Sequence, residues 1–460
     1  MHGNRNILAD DTICAPATAP GQGAVGIVRL SGPEAVATAD RHFTASAGIS
    51  LTAAPSHTVH HGHFLDAGGT PVDEVLVLLM LSPRSYTTQD VVEIQCHGGG
   101  AAVQAVLGCL VAAGCRMAEP GEFTRRAFLA GRIDLTQAEA VLEVIEARTD
   151  LAQRLAQRQL DGTLSRELAR VTEALRDLVA HLEAAIDFPE DDLEEELPAA
   201  TVAALEAAHQ TLADVAGRAR AGNLVKEGVR LAILGRPNVG KSSLLNAMLG
   251  HDRAIVTDVP GTTRDVLEAE LVVDGIRFVV QDTAGIRDPG DAIEAEGIAR
   301  SRRAAAGADL VLLVLDGAQA LDNADRTLLH ELDGARTLLA LNKSDLPTRL
   351  VPPGGREAVP VSAHSRDGID TLRAALVAAV RDKNAAPLAH AFLVTLRQRD
   401  AIERAATALG QALSALRGGA YPELVATDLR GALDAVGEVT GETTTDDLLD
   451  RIFSRFCIGK

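Results

Sequence analysis

The segment Gly235-Arg-Pro-Asn-Val-Gly240-Lys241-Ser242 constrains this chain more than any other. It fits G-x-x-x-x-G-K-[ST], follows the apolar run Val229–Leu234 and opens a helical pattern. Its glycines let the backbone curl so that N–H groups point at phosphate oxygens. Lys241 reaches the β- and γ-phosphates, and the Ser242 hydroxyl takes one Mg²⁺ position. Such a loop needs a strand before it and a helix after it. The surrounding runs agree: Val229–Leu234, Leu271–Val273, Ile276–Gln281, Leu310–Leu315, Thr337–Leu341 and Val359–Val361 alternate with helical segments, the pattern of a doubly wound sheet. Asp274-Gly275 is a hairpin turn signal within it.

Three further segments follow strand ends in nucleotide-site order. Asp282-Thr283-Ala284-Gly285 suits a γ-phosphate sensor, its Asp acting on the metal through water and its Gly amide meeting the phosphate. Asn342-Lys343-Ser344-Asp345 places a carboxylate where it accepts from guanine N1 and N2, so Asp345 selects GTP over ATP. Ser362-Ala363 fits a backbone contact to guanine O6. Where Ras-like enzymes place a water-orienting Gln after this Asp-Thr-Ala-Gly, the chain has Ile286, which cannot hydrogen-bond. Glu294 is the nearest downstream carboxylate and serves either as the water-positioning group or as a surface helix residue. Thr263 suits the switch threonine on Mg²⁺. Asn238 with switch-loop carbonyls could hold a monovalent cation in place of an arginine finger; Arg264 or Arg287 as a finger is the rival.

The flanking segments differ in character. Up to about residue 132, Gly and Pro punctuate strand-like runs at Gly26–Leu30, Val72–Leu81 and Val91–Cys96, beside a helical run near Ala101–Ala113: a compact α+β domain. From Leu135 to Asn223 the spacing is helical, interrupted mainly near Pro189 and Pro198. Asp187–Glu196 holds seven carboxylates in ten positions, read as a solvated connection between helices in preference to a metal site. Helical spacing returns over Phe392–Phe456, with Thr443 or Thr444 as an N-cap before Leu448-Leu449. The economical arrangement inserts the α/β domain into a helical domain whose halves flank it.

Composition removes other classes. Lys+Arg 44 against Asp+Glu 63 gives −19, too acidic to bind RNA or anionic membranes by bulk charge. Aromatics at 2%, without Trp, exclude base stacking as the main mode of nucleic-acid binding. No apolar run approaches bilayer length and Met1–Asp10 has no signal-peptide core. Five Cys without a C-x-x-C pair argue against a disulfide framework or zinc ribbon, so the expectation is a reduced, cytoplasmic protein.

Gly235–Asn246 (GRPNVGKSSLLN), Gly261–Asp265 (GTTRD), Ala185–Pro189 (AIDFP), Gly121–Arg132 (GEFTRRAFLAGR) and the ending Phe456-Cys-Ile-Gly-Lys460 together resemble the MnmE (TrmE) family of tRNA wobble-uridine modification GTPases over the whole chain. The resemblance implies a multidomain fold: an α+β, folate-binding and dimerising N-terminal domain (1–132), a discontinuous α-helical domain (133–227 and 386–460), and an inserted α/β Ras-like P-loop GTPase domain (228–385) that dimerises on GTP with potassium. It implies GTP contacts from Asn238, Val239, Gly240, Lys241, Ser242 and Ser243, from Thr257, Asp258, Val259, Pro260, Gly261, Thr262 and Thr263, from Asp282, Thr283, Ala284 and Gly285, and from Asn342, Lys343, Asp345, Ser362 and Ala363. Mg²⁺ falls to Ser242 and Thr263, K⁺ to Asn238, Thr257, Val259 and Thr262, and water positioning to Glu294. Arg29, Glu93, Arg132 and Lys460 match positions that hold 5-formyltetrahydrofolate; Arg132 stands where relatives carry Lys.

The implied activity is a GTP hydrolase. With a flavin-bearing MnmG-type partner, as a heterotetramer, it adds a carboxymethylaminomethyl or aminomethyl group to C5 of uridine 34 of certain tRNAs, using a one-carbon unit from 5,10-methylenetetrahydrofolate. FAD belongs to the partner alone. Cys457 reads either as a nucleophile towards uracil or as a small side chain packed near the folate site. The rival reading is a ribosome-assembly or signalling GTPase switch. It lacks the GxxG of a KH domain after Phe392 and has no use for the N-terminal residues.

Overall fold

The computed structural model describes residues 11–187, 199–250, 269–281, 305–332, 336–352, 356–383, 388–419 and 421–460. They divide into two compact units: Met1–Leu142 with Leu160–Thr172 and Leu433–Lys460, and Glu143–Gln159 with Glu173–Ala432. Among the described residues no helix is long and apolar enough to cross a membrane.

In the first unit, strands alternate apolar and polar residues and bury one face. β1 (Ile13–Pro16), β2 (Val25–Ser31), β3 (Phe43–Ala45), β4 (Thr58–Leu65), β5 (Pro71–Met80), β6 (Val91–His97) and β7 (Arg116–Met117) form one sheet in the order β3-β4-β5-β6-β2-β1-β7. Every pairing is antiparallel except β1 with β7. Val28, Leu30, Val75, Val77, Leu79 and Ile94 are fully or almost fully buried beneath α1 (Ala35–Arg41) and α2 (Gly100–Ala112). At roughly 1.5–3 kcal/mol per buried aliphatic side chain, this layer is the unit's main stabilising term. α3 (Glu122–Leu129) and α4 (Leu135–Glu146) follow.

The chain's last helix, Asp446–Phe453, joins Leu449, Ile452 and Phe453 to Leu135 and Ala138 of α4. Its N-cap is Thr445, with no side-chain cap bond, and not Thr443 or Thr444. The Thr443 hydroxyl instead donates to the Asp434 carbonyl at 3.1 Å, so the turn begins later than the motif suggests.

The helical stretch of the second unit breaks where the sequence reading saw continuity. α5 (Asp150–Leu160) starts after Thr149, whose hydroxyl accepts from Ala152 N, and Gly162 turns with φ 78° before α6 (Thr163–Asp187). α7 (Ala199–Glu227) runs to Gly228 and directly into β8 (Val229–Leu234). With α8 (Lys241–Leu249), β9 (Ala269–Val273), β10 (Ile276–Gln281), β11 (Leu310–Asp316), α9 (Asn323–Glu331), β12 (Thr337–Asn342), β13 (Ala358–Pro360) and α10 (Ile369–Lys383), β8 builds a sheet ordered β13-β12-β11-β8-β10-β9. All its pairings are parallel except the β9–β10 hairpin, where Asp274 and Gly275 both take positive φ (49° and 78°). β11 is buried at all seven positions, as a central parallel strand covered on both faces should be. α8 and α10 cover one face and α9 the other. Since β8 lies between β10 and β11, its carboxyl end opens at the point where strand order reverses, the usual ligand crevice of such sheets.

α11 (Leu396–Arg417), opened by a Thr395/Gln398 capping box, packs along α7. α12 (Pro422–Thr440) follows, and the final helix is α13 (Asp446–Phe453). Two glycines of α7 separate helix propensity from packing. A Cβ at Gly217 would meet nothing within 4 Å, whereas one at Gly222 would lie 1.8 Å from the Phe392 carbonyl oxygen. Ala in place of an interior helical Gly gains about 1 kcal/mol by propensity. Overpacking costs about 1–3 kcal/mol or more. Gly217→Ala should therefore raise the thermal unfolding midpoint and Gly222→Ala lower it; equal shifts would show that the Phe392 backbone does not approach α7 this closely.

Candidate functional site

The loop between β8 and α8 is shaped by positions where a side chain cannot go. Gly235 (φ 146°) would drive a Cβ to 2.3 Å from the Val314 carbonyl oxygen, and Gly240 (φ 95°) to 2.2 Å from Asn342 Nδ2. Asn238 between them also takes positive φ, 63°. Lys241 Nζ donates to the carbonyls of Gly235 at 2.8 Å and Arg236 at 2.9 Å, and burial pushes its ammonium pKa down. Phosphate oxygens arriving in the loop would supply the negative partner that a half-buried ammonium needs. Ser242 and Ser243 occupy the first turn of α8, whose N-terminus faces the loop.

Arg236 lies at a variable position of the motif, where the sequence pattern assigns it no role. Its guanidinium meets Asp322 at 2.9 Å, Gln319 at 3.0 Å and the buried Asp325 at 3.4 Å. Asp322 and Asp325 are the capping box of α9, so the loop is anchored to the start of that helix.

Asn342, Lys343, Asp345, Ser362 and Ala363 converge at the ends of β12 and β13. Asn342 Nδ2 donates to the Val239 carbonyl at 2.7 Å, and its Oδ1 accepts from Ala363 N at 3.1 Å. Lys343 (φ 64°) pairs with Asp316 at 2.7 Å. The Ser362 hydroxyl donates to Asp345 Oδ1 at 2.6 Å and holds this carboxyl below the usual carboxylate range, keeping it an acceptor. Asn342 thus joins the loop after β8 to the loops after β12 and β13 in one connected site.

Thr257, Asp258, Val259, Pro260, Gly261, Thr262, Thr263, Asp282, Thr283, Ala284, Gly285 and Glu294 lie outside the described residues, as do Ile286 and the rival fingers Arg264 and Arg287. The carboxylates Glu190–Glu196 lie outside them too. Among the described residues no cluster of three or more His, Cys, Asp or Glu could hold a metal.

A second group assembles in the first unit. Arg29 and Glu93 face each other across β2 and β6, and Arg29 Nε donates to Glu93 Oε1 at 2.8 Å. Arg29 Nη1 donates to the Gly459 carbonyl at 2.9 Å, bringing the chain's last residues to the same place. This tail is fastened by Phe123 N to the Lys460 carbonyl at 3.2 Å, and a Cβ at Gly459 (φ 96°) would lie 2.1 Å from the Pro16 oxygen. Cys457 is exposed, which removes the reading of a packed side chain.

Tyr86, missed in the sequence, lies between Arg29 and Arg132. Their guanidinium carbons are 5.9 Å and 5.0 Å from its ring centroid. Arg132 also donates to the Tyr86 carbonyl at 3.1 Å. The Tyr86 hydroxyl hydrogen-bonds Thr124 at 2.9 Å, and burial pushes the phenol pKa up. That this is one of only two tyrosines was the sole available signal.

Behind it, Glu122 is buried against Arg116 (2.6 Å) and Arg126 (2.9 Å), both of which also pair with Asp11. Burial raises the Glu122 carboxyl pKa, but the two guanidiniums and the Glu119 amide outweigh it and leave it below the usual range. The network fixes the N-terminus of α3, which carries Phe123 and Thr124.

Two family models match the chain: "GTP-binding protein TrmE N-terminus" over residues 12–132 and "MnmE helical domain" over 135–457. A tRNA modification GTPase MnmE of Syntrophotalea carbinolica is 46% identical over 461 residues, covering 99% of this chain and 100% of the relative. Those of Geobacter sulfurreducens (47%, 99% and 100%) and Symbiobacterium thermophilum (46%, 98% and 100%) are similar throughout. Likeness of this extent over the whole length shows that the chain belongs to the MnmE family of tRNA modification GTPases.

Proposed function

We propose that the protein is a potassium-dependent GTPase that works with an MnmG-type flavoprotein. It would add a carboxymethylaminomethyl or aminomethyl group to C5 of uridine 34 of certain tRNAs. The observation that carries this reading is the presence in one chain of two built sites. One is a phosphate loop joined by Asn342 to a guanine-type carboxylate. The other is a cationic and aromatic site at Arg29, Tyr86 and Arg132. A GTPase acting only as an assembly or signalling switch has no use for the second.

In the nucleotide site, backbone amides of 238–243 and Lys241 would hold the phosphates, and Asp345 and Ala363 the guanine edge. The hydroxyl of Ser242 suits Mg²⁺, together with Thr263. Asn238 offers a neutral carbonyl oxygen at a positive-φ turn, a donor suited to potassium, with Thr257, Val259 and Thr262 completing the set. Glu294 would orient the attacking water. In the second site Glu93 would accept from the paired N–H groups of a pterin ring, while Arg29, Arg132 and Lys460 would hold anionic or carbonyl groups of a reduced folate. The folate supplies the one-carbon unit. Homodimerisation through 1–132, GTP-driven association of the GTPase domains and a cytoplasmic location complete the reading. The acidic charge of −19 suits a division of labour in which the flavoprotein provides most of the tRNA-binding surface.

Two experiments test it. At equal ionic strength, potassium should accelerate GTP turnover strongly over sodium, and Glu294→Ala should lower kcat roughly 10²-fold with near-normal nucleotide affinity. Equal rates in the two salts, with turnover abolished by Arg264→Ala or Arg287→Ala, would identify an arginine finger instead. Titration calorimetry should detect a reduced folate binding to the intact protein, weakened by Glu93→Ala while GTP hydrolysis is unchanged; no binding to the wild type would exclude the folate role.

A further inference from the structure

At the base of the GTPase sheet, away from the nucleotide, a set of charged side chains gathers around the end of α7. Only Gly228 (φ 84°) separates α7 from β8, the strand that ends in the phosphate loop. Arg277, at the start of β10, donates from Nη2 to the carbonyls of Lys226 at 3.2 Å and Glu227 at 2.5 Å. These are last-turn carbonyls with no partner inside the helix, and a cation suits that end of the dipole. From Nη1 Arg277 donates to Glu270 of β9 at 2.7 Å, and Glu270 also accepts from Arg148, between α4 and α5, at 2.9 Å. Lys226 pairs in turn with the buried Glu143 of α4. Glu143, Arg148, Lys226, Glu227, Arg277 and Leu393 line a cavity of about 430 Å³.

Resting on the GTPase reading, we propose that Arg277 is a positioning residue of the GTP cycle. It would join the two phosphate-sensing strands to α7 and, through Glu270, to the α4–α5 turn, and carry the nucleotide state to those helices. Three facts support this. β10 pairs in parallel with β8 from Phe278 opposite Val229 and runs on in sequence to Asp282, the expected γ-phosphate sensor. The one-residue link at Gly228 leaves helix and strand no slack. A Cβ at Gly228 would touch Arg277 Nε and its carbonyl oxygen at 3.1 Å, so the joint is close-packed as well as ionic. A shift of β10 at its sensor end therefore pulls on helix carbonyls through a guanidinium with two separate edges, one for α7 and one for Glu270.

Hydrogen exchange of the full-length protein, saturated with GDP or with a non-hydrolysable GTP analogue in potassium and magnesium, tests the assignment. In the wild type, amides of 219–229 and of 146–152 should exchange at rates differing by about threefold or more between the two states. Arg277→Leu should abolish the difference in both segments while nucleotide affinity stays within about twofold of wild type. Glu270→Gln keeps the carbonyl bonds, so it should abolish the difference at 146–152 and preserve it at 219–229. This selective loss is one that general destabilisation does not produce, and it stands even if Arg277→Leu folds poorly. Variants that keep both differences, or a nucleotide-saturated wild type that shows none, would overturn the proposal. Failure of the wild type to bind nucleotide, measured separately by calorimetric titration with GDP, would overturn the GTPase reading along with it.

Discussion

The nucleotide site depends on the Asn342 carboxamide. One end donates to the Val239 carbonyl in the loop after β8 and the other accepts from the Ala363 amide after β13. The residue is buried, so each of these bonds is costly to leave unmade, about 1–3 kcal/mol per stranded group. No residue that cannot both donate and accept through a planar group could replace it. Gly240 has to lack a Cβ because the same carboxamide occupies that space. The loop after β8 and the segments after β12 and β13, joined by a bond spanning 103 positions of sequence, are therefore one mechanical object.

The first unit solves a different problem, the pairing of several arginines, of which Arg126 is buried, Arg29 half-buried and Arg116 exposed. Arg29, Arg116 and Arg126 are each neutralised by a carboxylate within 3 Å, and Tyr86 offers its ring faces to Arg29 and Arg132. Breaking a buried pair such as Arg126–Glu122 by removing one partner costs about 3–5 kcal/mol. The network thus holds α3 and the terminal Gly459-Lys460 in place, and the glycine at 459 is required because Pro16 approaches its backbone.

Much of this was legible in the sequence where a local rule has one solution. The phosphate loop, the Asp274-Gly275 hairpin and strands such as Leu310–Asp316 follow from spacing and turn chemistry alone. Strands β1, β3, β4 and β7 did not, because three are two to four residues long and β4 carries three histidines and a glycine, masking its alternation. The break at Thr149 was hidden in a helical composition, and the final N-cap moved to Thr445 because Thr443 is engaged by the Asp434 carbonyl. Arg29 and Glu93 carried no site signal as isolated strand residues. Their meaning comes from cross-strand register and from a tail 430 positions away in sequence. Tyr86 and Arg277 were invisible for the same reason: each acts through partners brought in by the fold.

The central claim is that GTP turnover in one part of the chain serves one-carbon chemistry supported by another. It is tested most directly by reconstituting the protein with the proposed MnmG-type flavoprotein, tRNA, GTP and a reduced folate whose one-carbon unit is isotopically labelled, then analysing nucleosides by mass spectrometry. The account predicts label in the C5 substituent of uridine 34, and its loss when GTP is replaced by a non-hydrolysable analogue. An unlabelled substituent, or labelling indifferent to GTP hydrolysis, would contradict it.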